Sequence, residues 1–207
     1  MGLAAACITG LAWLMLSDRW QRTKAMHFAQ TSIHHSTSSA TLTKVKNKAA
    51  EAKSYVKEKG LNADVCFLAD MSLPSGEPRL FVYHFKKDSV INSGLVTHGR
   101  CNETWLEGRR YSNTPGSGCT SLGRYKTGYA YKGRFGLAYK LHGLDKTNNK
   151  AFERYVVLHS HDCVPETAVA DDICQSDGCP TVSPGFLQYL KPIIDKSGKP
   201  VLLWVFE

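Results

Sequence analysis

The residue best placed to carry chemistry is Cys179, which lies in the segment SDGCP (176–180) and follows His159 by twenty residues. Small residues before a cysteine let backbone N–H groups approach a reacting carbonyl and stabilise its oxyanion. A nearby imidazole favours the thiolate and provides a base. These residue types predict nucleophilic acyl chemistry, although their spacing alone is weak support for a catalytic pair.

Structural zinc is the alternative for the same region. His159, His161, Cys163, Cys174 and Cys179 follow the pattern H-x-H-x-C and then C-x4-C. Zinc prefers tetrahedral sets of histidine and cysteine, but these spacings differ from the usual C-x2-C pair. A disulfide between Cys163 and Cys174 would largely exclude the metal.

The chain has seven cysteines, an odd number, so at least one thiol stays free or pairs between chains. Cys101 with Cys119 and Cys163 with Cys174 are plausible local disulfides. The sequence itself does not determine the connectivity.

The elements that must position these side chains are mostly β-strands. Residues 64–70 (DVCFLAD) and 79–85 (RLFVYHF) predict a hairpin, with a turn at 73–76 between them. Residues 89–97 form a further candidate strand. The alternation of glycine and aromatic residues over 121–143 favours twisted hairpins.

Two apolar segments complete the predicted sheet. Residues 154–158 (RYVVL) form a candidate strand that ends directly before His159, and residues 201–206 (VLLWVF) predict a central strand. Between them, Ser183 and Pro184 are typical of a helix start, and Pro192 is expected to kink that helix or end it early. The fold class is therefore mainly β, a mixed β-sandwich-like body with an N-terminal helix and one or two flanking helices.

Composition limits the function classes. With 207 residues, 43% hydrophobic and 21% charged, the chain fits one globular domain with a short extension, and excludes a multi-domain assembly or a polytopic membrane protein. The net charge of +8 invites a nucleic-acid interpretation. However, residues 1–59 carry nine basic and three acidic side chains, whereas residues 60–207 carry 17 and 15. No recognition helix or aromatic-basic sheet motif occurs, so nucleic acid is not an expected partner.

The arm before the domain divides into three segments. Residues 1–29 predict a signal-like segment or an N-terminal membrane anchor with a basic flank, and membrane contact is expected through residues 1–24. A buried core helix is the alternative for its apolar run, 3–16. No Lys or Arg precedes that run, while three basic residues follow it, an arrangement that favours keeping the downstream part inside. Residues 30–41 form a Ser/Thr-rich linker.

Residues 42–60 predict a basic amphipathic helix. Its narrow apolar stripe has members three or four residues apart: Leu42, Val45, Ala49, Ala52 and Val56. Its lysines lie mostly off the stripe. They point either to contact with anionic lipid or polymer, or to an ordinary solvated face.

Together the segments of residues 45–206 resemble the murein L,D-transpeptidase catalytic-domain family, in its YkuD-like branch with S-x-G-C-P at the nucleophile. The similarity runs through six blocks in order: RLFVYHF, VTHGRCN, YSNTPGS with TSLGRYKTG, YKGRFGLAYKLHGLD, NNKAFERYVVLHS and QSDGCPTVSP. Residues 61–207 are therefore expected to form such a catalytic domain.

The resemblance implies roles for particular residues. Cys179 corresponds to the nucleophile and His159 to the general base, with the Ser160 carbonyl accepting the imidazole N–H. The loop Ser176, Asp177 and Gly178, with the Cys179 N–H, would form the oxyanion hole.

Other positions implied near the site carry less specific roles. His98 is a candidate for orienting substrate, and Arg154 either holds a carboxylate or braces its strand. His161 is the reserve candidate for the base.

The sequence departs from the commonest family pattern at Asp177, where the usual motif has histidine. A carboxylate beside a thiolate would raise the pKa of the thiol. The second histidine, His161, and the extra cysteines Cys163 and Cys174 are also unusual. A disulfide between the two cysteines would staple the loop that bears the site.

The reaction implied is acyl transfer without metal or organic cofactor. The thiolate attacks the peptide bond between the diamino acid and the terminal D-alanine of a peptidoglycan stem tetrapeptide, and an amine of a second stem resolves the thioester into a 3–3 cross-link. Water as acceptor would make the protein an L,D-carboxypeptidase, and a non-catalytic wall-binding module is the third alternative. The expected location is the periplasm or cell envelope. The sequence leaves the oligomeric state open.

Overall fold

The computed structural model describes residues 37–207; the predicted segment 1–29 and most of the linker 30–41 lie outside the described residues. Two helices and eight strands form the described part. In chain order they are α1 (Ser39–Glu58), β1 (Val65–Asp70), β2 (Leu80–His84), β3 (Ser89–Gly94), β4 (Gly123–Gly133), β5 (Gly136–Gly143), β6 (Val157–Ser160), β7 (Thr181–Val182), α2 (Pro184–Asp195) and β8 (Leu202–Phe206). Neither helix is long and apolar enough to cross a membrane.

All eight strands belong to one mixed sheet in the order β3-β2-β1-β8-β4-β5-β6-β7, which confirms the mainly β prediction. Most neighbours are antiparallel, including the predicted hairpins β1–β2 and β4–β5. Two pairs are parallel. One joins β1 to β8, and the other joins β6 to β7.

The strand β8 is central, as its apolar sequence predicts, and it is buried on both faces of the sheet. Leu203 and Val205 pack on the side covered by α2, whereas Leu202 and Phe206 pack on the side covered by α1. Successive side chains of a strand point to opposite faces, so a strand between two layers needs apolar residues at every position.

The helix α1 begins at Ser39, three residues before the predicted start, because the Ser38 side chain accepts a hydrogen bond from the Thr41 N–H and caps the helix. Its buried stripe packs on the sheet as the spacing predicts. Two lysines also turn back onto the domain. Lys44 pairs with the buried Asp70 at 3.0 Å, and the Lys48 ammonium lies 4.6 Å from the Trp204 ring centre. Part of the basic face is therefore used within the fold.

Two sequence predictions require correction. The strand expected at 154–158 is β6 and begins only at Val157, because the chain turns through residues 149–155 and Tyr155 has a φ of 58°. His159 therefore lies inside the strand rather than after it. The helix α2 continues three residues past Pro192 to Asp195 and does not end early.

We expect Leu203→Ala to lower the free energy of unfolding by about 2–5 kcal/mol, because Leu203 is fully buried between two central strands. Urea denaturation measures the change. The matched control is Leu42→Ala on α1, where the side chain is 43% exposed and the expected change is below about 0.5 kcal/mol. Equal losses in the two variants would contradict this description of the core.

Candidate active site

The parallel pairing of β6 with β7 brings the two candidate catalytic residues to one cleft. His159 of β6 is the direct partner of Thr181 of β7, and Cys179 lies two residues before Thr181. The cleft, of about 230 Å³, is lined by Thr97, Arg100, Phe135, His159, His161, Cys163, Cys174, Gln175, Ser176, Asp177, Cys179 and Thr181. Cys179, His159, His161, Ser176 and Asp177 are thus brought together, whereas His98 and Arg154 do not line it.

The thiol of Cys179 is partly buried and faces the backbone of residues 155–157. The Val157 N–H donates to Sγ at 3.4 Å, and the Tyr155 carbonyl lies 3.9 Å from Sγ. Burial raises the pKa of Cys179; the Val157 N–H and the nearby charge of Arg154 act in the opposite direction. The resting residue is therefore a thiol that needs a base to become a nucleophile.

His159 is held in one tautomer. Its Nδ1 lies 3.0 Å from the Ser160 carbonyl, which only accepts, so Nδ1 carries the proton and Nε2 offers its lone pair. This is the contact that the family resemblance implies. Burial lowers the pKa of His159, which keeps the imidazole neutral and ready to accept a proton at pH 7. The Phe135 ring stacks on the imidazole at 5.2 Å between ring centres.

Hydrogen bonds from Ser176 define the turn before the cysteine. The Ser176 hydroxyl donates to the Cys179 carbonyl at 2.7 Å and accepts from the Gly178 N–H at 3.1 Å. Gly178 has a φ of 105°, and a Cβ there would lie 2.5 Å from the Cys119 carbonyl oxygen. Only glycine fits this position. Within residues 37–207 the Cys179 N–H has no hydrogen-bond acceptor, so it is available to an oxyanion, whereas the Gly178 N–H is engaged.

Two threonines that sequence reasoning missed hold the candidate pair. Thr97 Oγ1 donates to the Cys179 carbonyl at 3.2 Å and accepts from the Thr181 N–H at 3.2 Å. Thr181 Oγ1 lies 3.0 Å from His159 Nε2 and donates to its lone pair. No hydrogen bond joins His159 to Cys179 directly within the described range. The sequence offered one indication of this role, namely that Thr181 lies only two residues after Cys179.

The unusual carboxylate of Asp177 is turned to solvent, with 74% of its side chain exposed, and pairs with Arg100 Nε at 2.8 Å. Asp177 does raise the pKa of Cys179, as the sequence suggested, but burial of the thiol is the larger cause. Arg100 also donates to the Glu103 carbonyl at 3.0 Å. Sequence reasoning did not single out Arg100, although it lies in the resembling block VTHGRCN.

Arg154 braces the structure, one of the two roles considered for it. Its guanidinium donates to the Ser112 carbonyl and the Ser121 hydroxyl at 2.8 Å, and to the Cys119 carbonyl. A further contact reaches the Ser117 hydroxyl at 3.3 Å. These bonds fix the loop 112–121 beneath the nucleophile turn, and they leave no free donor pair for a carboxylate.

His98 lies behind the cleft, and its imidazole does not face it. Its Nδ1 is 3.1 Å from Arg79, and burial beside that guanidinium lowers the pKa of His98 to about 4. The backbone of His98 is the part that serves the site, because its carbonyl accepts from the Ser176 N–H at 2.9 Å. The placement gives this imidazole no direct contact with a substrate in the cleft.

Both predicted disulfides, Cys101–Cys119 and Cys163–Cys174, are present. The second takes two of the five candidate zinc ligands, since a disulfide sulfur is no thiolate. His161 Nδ1 accepts from the Cys163 N–H at 3.1 Å, and its ring packs edge-on against Phe135. In the described part of the chain no three metal-ligating side chains converge. Cys66, the other free cysteine in that part, is buried away from the cleft.

The cleft thus holds a cysteine at a glycine turn and a histidine of fixed tautomer. The sequence over residues 36–206 matches the family described as the L,D-transpeptidase catalytic domain, and the chain belongs to that family. No curated protein matches the chain by sequence.

Solved structures of low identity align with the chain. An L,D-transpeptidase from Mycobacterium smegmatis is 12% identical, with a TM-score of 0.41 over 69% of this chain and 58% of that one. L,D-transpeptidase 1 of Mycobacterium tuberculosis is 12% identical, with a TM-score of 0.35 over 70% and 62%. The helical cell shape determining protein Pgp2 of Campylobacter jejuni is 14% identical, with a TM-score of 0.40 over 70% and 47%. The chain thus spans less than two thirds of each of these structures.

We expect Gly178→Ala to destabilise the protein more than a glycine replacement that meets only backbone strain. The matched control is Gly116→Ala, where φ is 75° and a Cβ meets nothing within 4 Å. The control should cost about 1–2 kcal/mol, and the clash with the Cys119 carbonyl should add about 1–3 kcal/mol. Urea denaturation of the two variants is the measurement. A Gly178→Ala loss no greater than that of the control would show that the turn is loosely packed.

Proposed function

We propose that this protein is a cysteine-dependent acyl transferase that acts on peptidoglycan stem peptides as an L,D-transpeptidase at the cell envelope. The observation that carries the proposal is the neutral, tautomer-fixed His159 in the same cleft as the Cys179 thiol. Membership of the L,D-transpeptidase catalytic domain family supports the substrate class.

The first half-reaction forms a thioester. His159 Nε2 leaves its hydrogen bond with the Thr181 hydroxyl and accepts the proton of the Cys179 thiol. A contact of this kind often forms only in the substrate complex. Sγ attacks the carbonyl carbon of the diamino acid residue, and the Cys179 N–H stabilises the oxyanion. The imidazolium then gives its proton to the leaving nitrogen, the C–N bond breaks, and D-alanine departs.

The second half-reaction reverses these roles with a new nucleophile. A side-chain amine of a second stem attacks the thioester, His159 takes a proton from that amine, and the Cys179 thiolate leaves and is reprotonated. The product is a 3–3 cross-link. The amide formed replaces the amide broken, so the exchange needs neither an oxidant nor a nucleotide.

We expect intact-mass spectrometry to show a covalent adduct on the protein with a stem tetrapeptide donor, or with a carbapenem, and no adduct on Cys179→Ala. The matched control is Cys66→Ala, which removes the buried free thiol and should leave acylation unchanged. Analysis of the muropeptide products then separates cross-linked dimers from hydrolysed tripeptides. An adduct that persists in Cys179→Ala would refute the assigned nucleophile.

The pH dependence of acylation should reveal the base. Because burial lowers the pKa of His159 below its ordinary 6.5, the wild-type rate should fall only below that pH, as the imidazole gains a proton. His159→Ala should lose about 10²–10⁴-fold at pH 7. Its residual rate should rise with pH beyond 9, since burial raises the pKa of the Cys179 thiol. Stopped-flow acylation measures both profiles, and a His159→Ala variant that keeps the wild-type rate and its fall at low pH would contradict base catalysis by His159.

A further inference from the structure

Lys140 is a buried cation next to the nucleophile. It lies on β5, is only 7% exposed, and is the strand partner of Val157, whose N–H contacts the Cys179 thiol. Tyr155 connects the two residues, since its carbonyl lies 3.9 Å from Sγ and its ring centre lies 4.9 Å from the Lys140 ammonium. The ammonium is therefore on the side of the thiol formed by residues 155–157. Like His98 and Arg154, Lys140 does not line the cleft of about 230 Å³, so a substrate would reach it past the Tyr155 side of the thiol.

The surroundings of Lys140 are aromatic. Its ammonium lies over the rings of Tyr131, Phe152 and Tyr155 at 5.5, 5.2 and 4.9 Å from their centres. Two of these rings face solvent, because Tyr155 is 76% and Phe152 is 46% exposed. Ring faces attract a cation but leave its charge without a counter-ion, so the ammonium can still take an anion.

No carboxylate or other hydrogen-bond acceptor pairs with the Lys140 ammonium anywhere in residues 37–207. The other cations beside the nucleophile are already engaged. Arg154 donates to backbone carbonyls and hydroxyls of the loop 112–121, and Arg100 pairs with Asp177. Among these three cations, Lys140 is the one left for a ligand.

We propose that Lys140 binds the terminal carboxylate of the stem peptide and so selects donors that end one residue after the scissile bond. The inference rests on the proposed function, in which a terminal D-amino acid is released and the donor carries a free carboxylate one residue beyond the reacting carbonyl. The Lys140 ammonium, on the Tyr155 side of the thiol, would face that carboxylate. A longer peptide would place an uncharged amide at the position of this carboxylate and would lose the ion pair with Lys140.

The test compares a tetrapeptide donor with the same peptide amidated at its C-terminus. The wild type should prefer the free acid in kcat/KM by about 30-fold or more, as expected for a charge-assisted contact shielded from water. Lys140→Met should lose this preference, with a fall on the acid and a change within about twofold on the amide. Lys140→Arg should retain most of the preference, and the control Lys132→Met, at an exposed lysine of β4, should match the wild type.

A binding measurement makes the result independent of turnover. In a Cys179→Ala background, calorimetry should show tighter binding of the acid than of the amide, and adding Lys140→Met should remove the difference. Circular dichroism and thermal melting confirm that each variant is folded.

Three outcomes would overturn the assignment. An undiminished acid preference in Lys140→Met shows that another group binds the carboxylate. An equal loss on acid and amide shows that Lys140 acts on the thiol or the fold. If kcat/KM instead falls on amidation of the diamino acid carboxylate and not of the C-terminus, the contact with Lys140 lies elsewhere on the stem. Failure of the proposed function is separate, because then the wild type itself forms no thioester and releases no D-alanine.

Discussion

The two-residue parallel pairing of β7 with β6 is the constraint on which the site depends. It places Thr181 beside His159 and thereby fixes the turn 176–179 over the same strand. A parallel neighbour must enter from the same end of the sheet, so the chain needs a long connection between the two strands. Residues 161–180 supply it, and they carry both the candidate nucleophile and the Cys163–Cys174 disulfide that closes part of this connection. The length of that connection is why the histidine and cysteine lie twenty residues apart in sequence.

The same connection explains how the Cys179 thiol is kept partly buried near a sheet edge. Three segments of the chain converge on the thiol or on the turn that carries it. Val157 from β6 donates to the sulfur, the Thr97 hydroxyl holds the Cys179 carbonyl, and the Cys119 carbonyl closes against Gly178. Together these segments order the turn and bury the thiol. This burial raises the pKa of Cys179, although the Val157 N–H by itself acts to lower it. The arrangement makes the base indispensable for the chemistry proposed, because the thiol does not ionise by itself near neutral pH.

Local pattern predicted much of this molecule from sequence. The stripe of α1, the hairpins and the apolar run of β8 were visible because their periods follow directly from helix and strand geometry. The start of β6 was not, because the turn 149–155 depends on a left-handed Tyr155 that no propensity favours. The role of Arg154 was undecidable for another reason. Its partners are backbone carbonyls of residues 112–121, which look alike in any sequence. The roles of Thr97 and Thr181 could not be predicted for a similar reason. The Thr181 N–H donates to the Thr97 hydroxyl, and the two residues lie 84 positions apart in the chain.

The distribution of cations follows from these packing demands and sharpens what the net charge of +8 means. On α1, Lys44 pairs with Asp70 and Lys48 lies over the Trp204 ring of β8. Near the turn 176–179, Arg100 pairs with Asp177 and Arg154 donates to the loop 112–121. Within residues 37–207, Lys140 contacts the faces of three rings but pairs with no acid and no carbonyl. The ring faces attract the ammonium but leave its charge without a counter-ion. The anion that we propose for Lys140 is therefore one that arrives with the substrate.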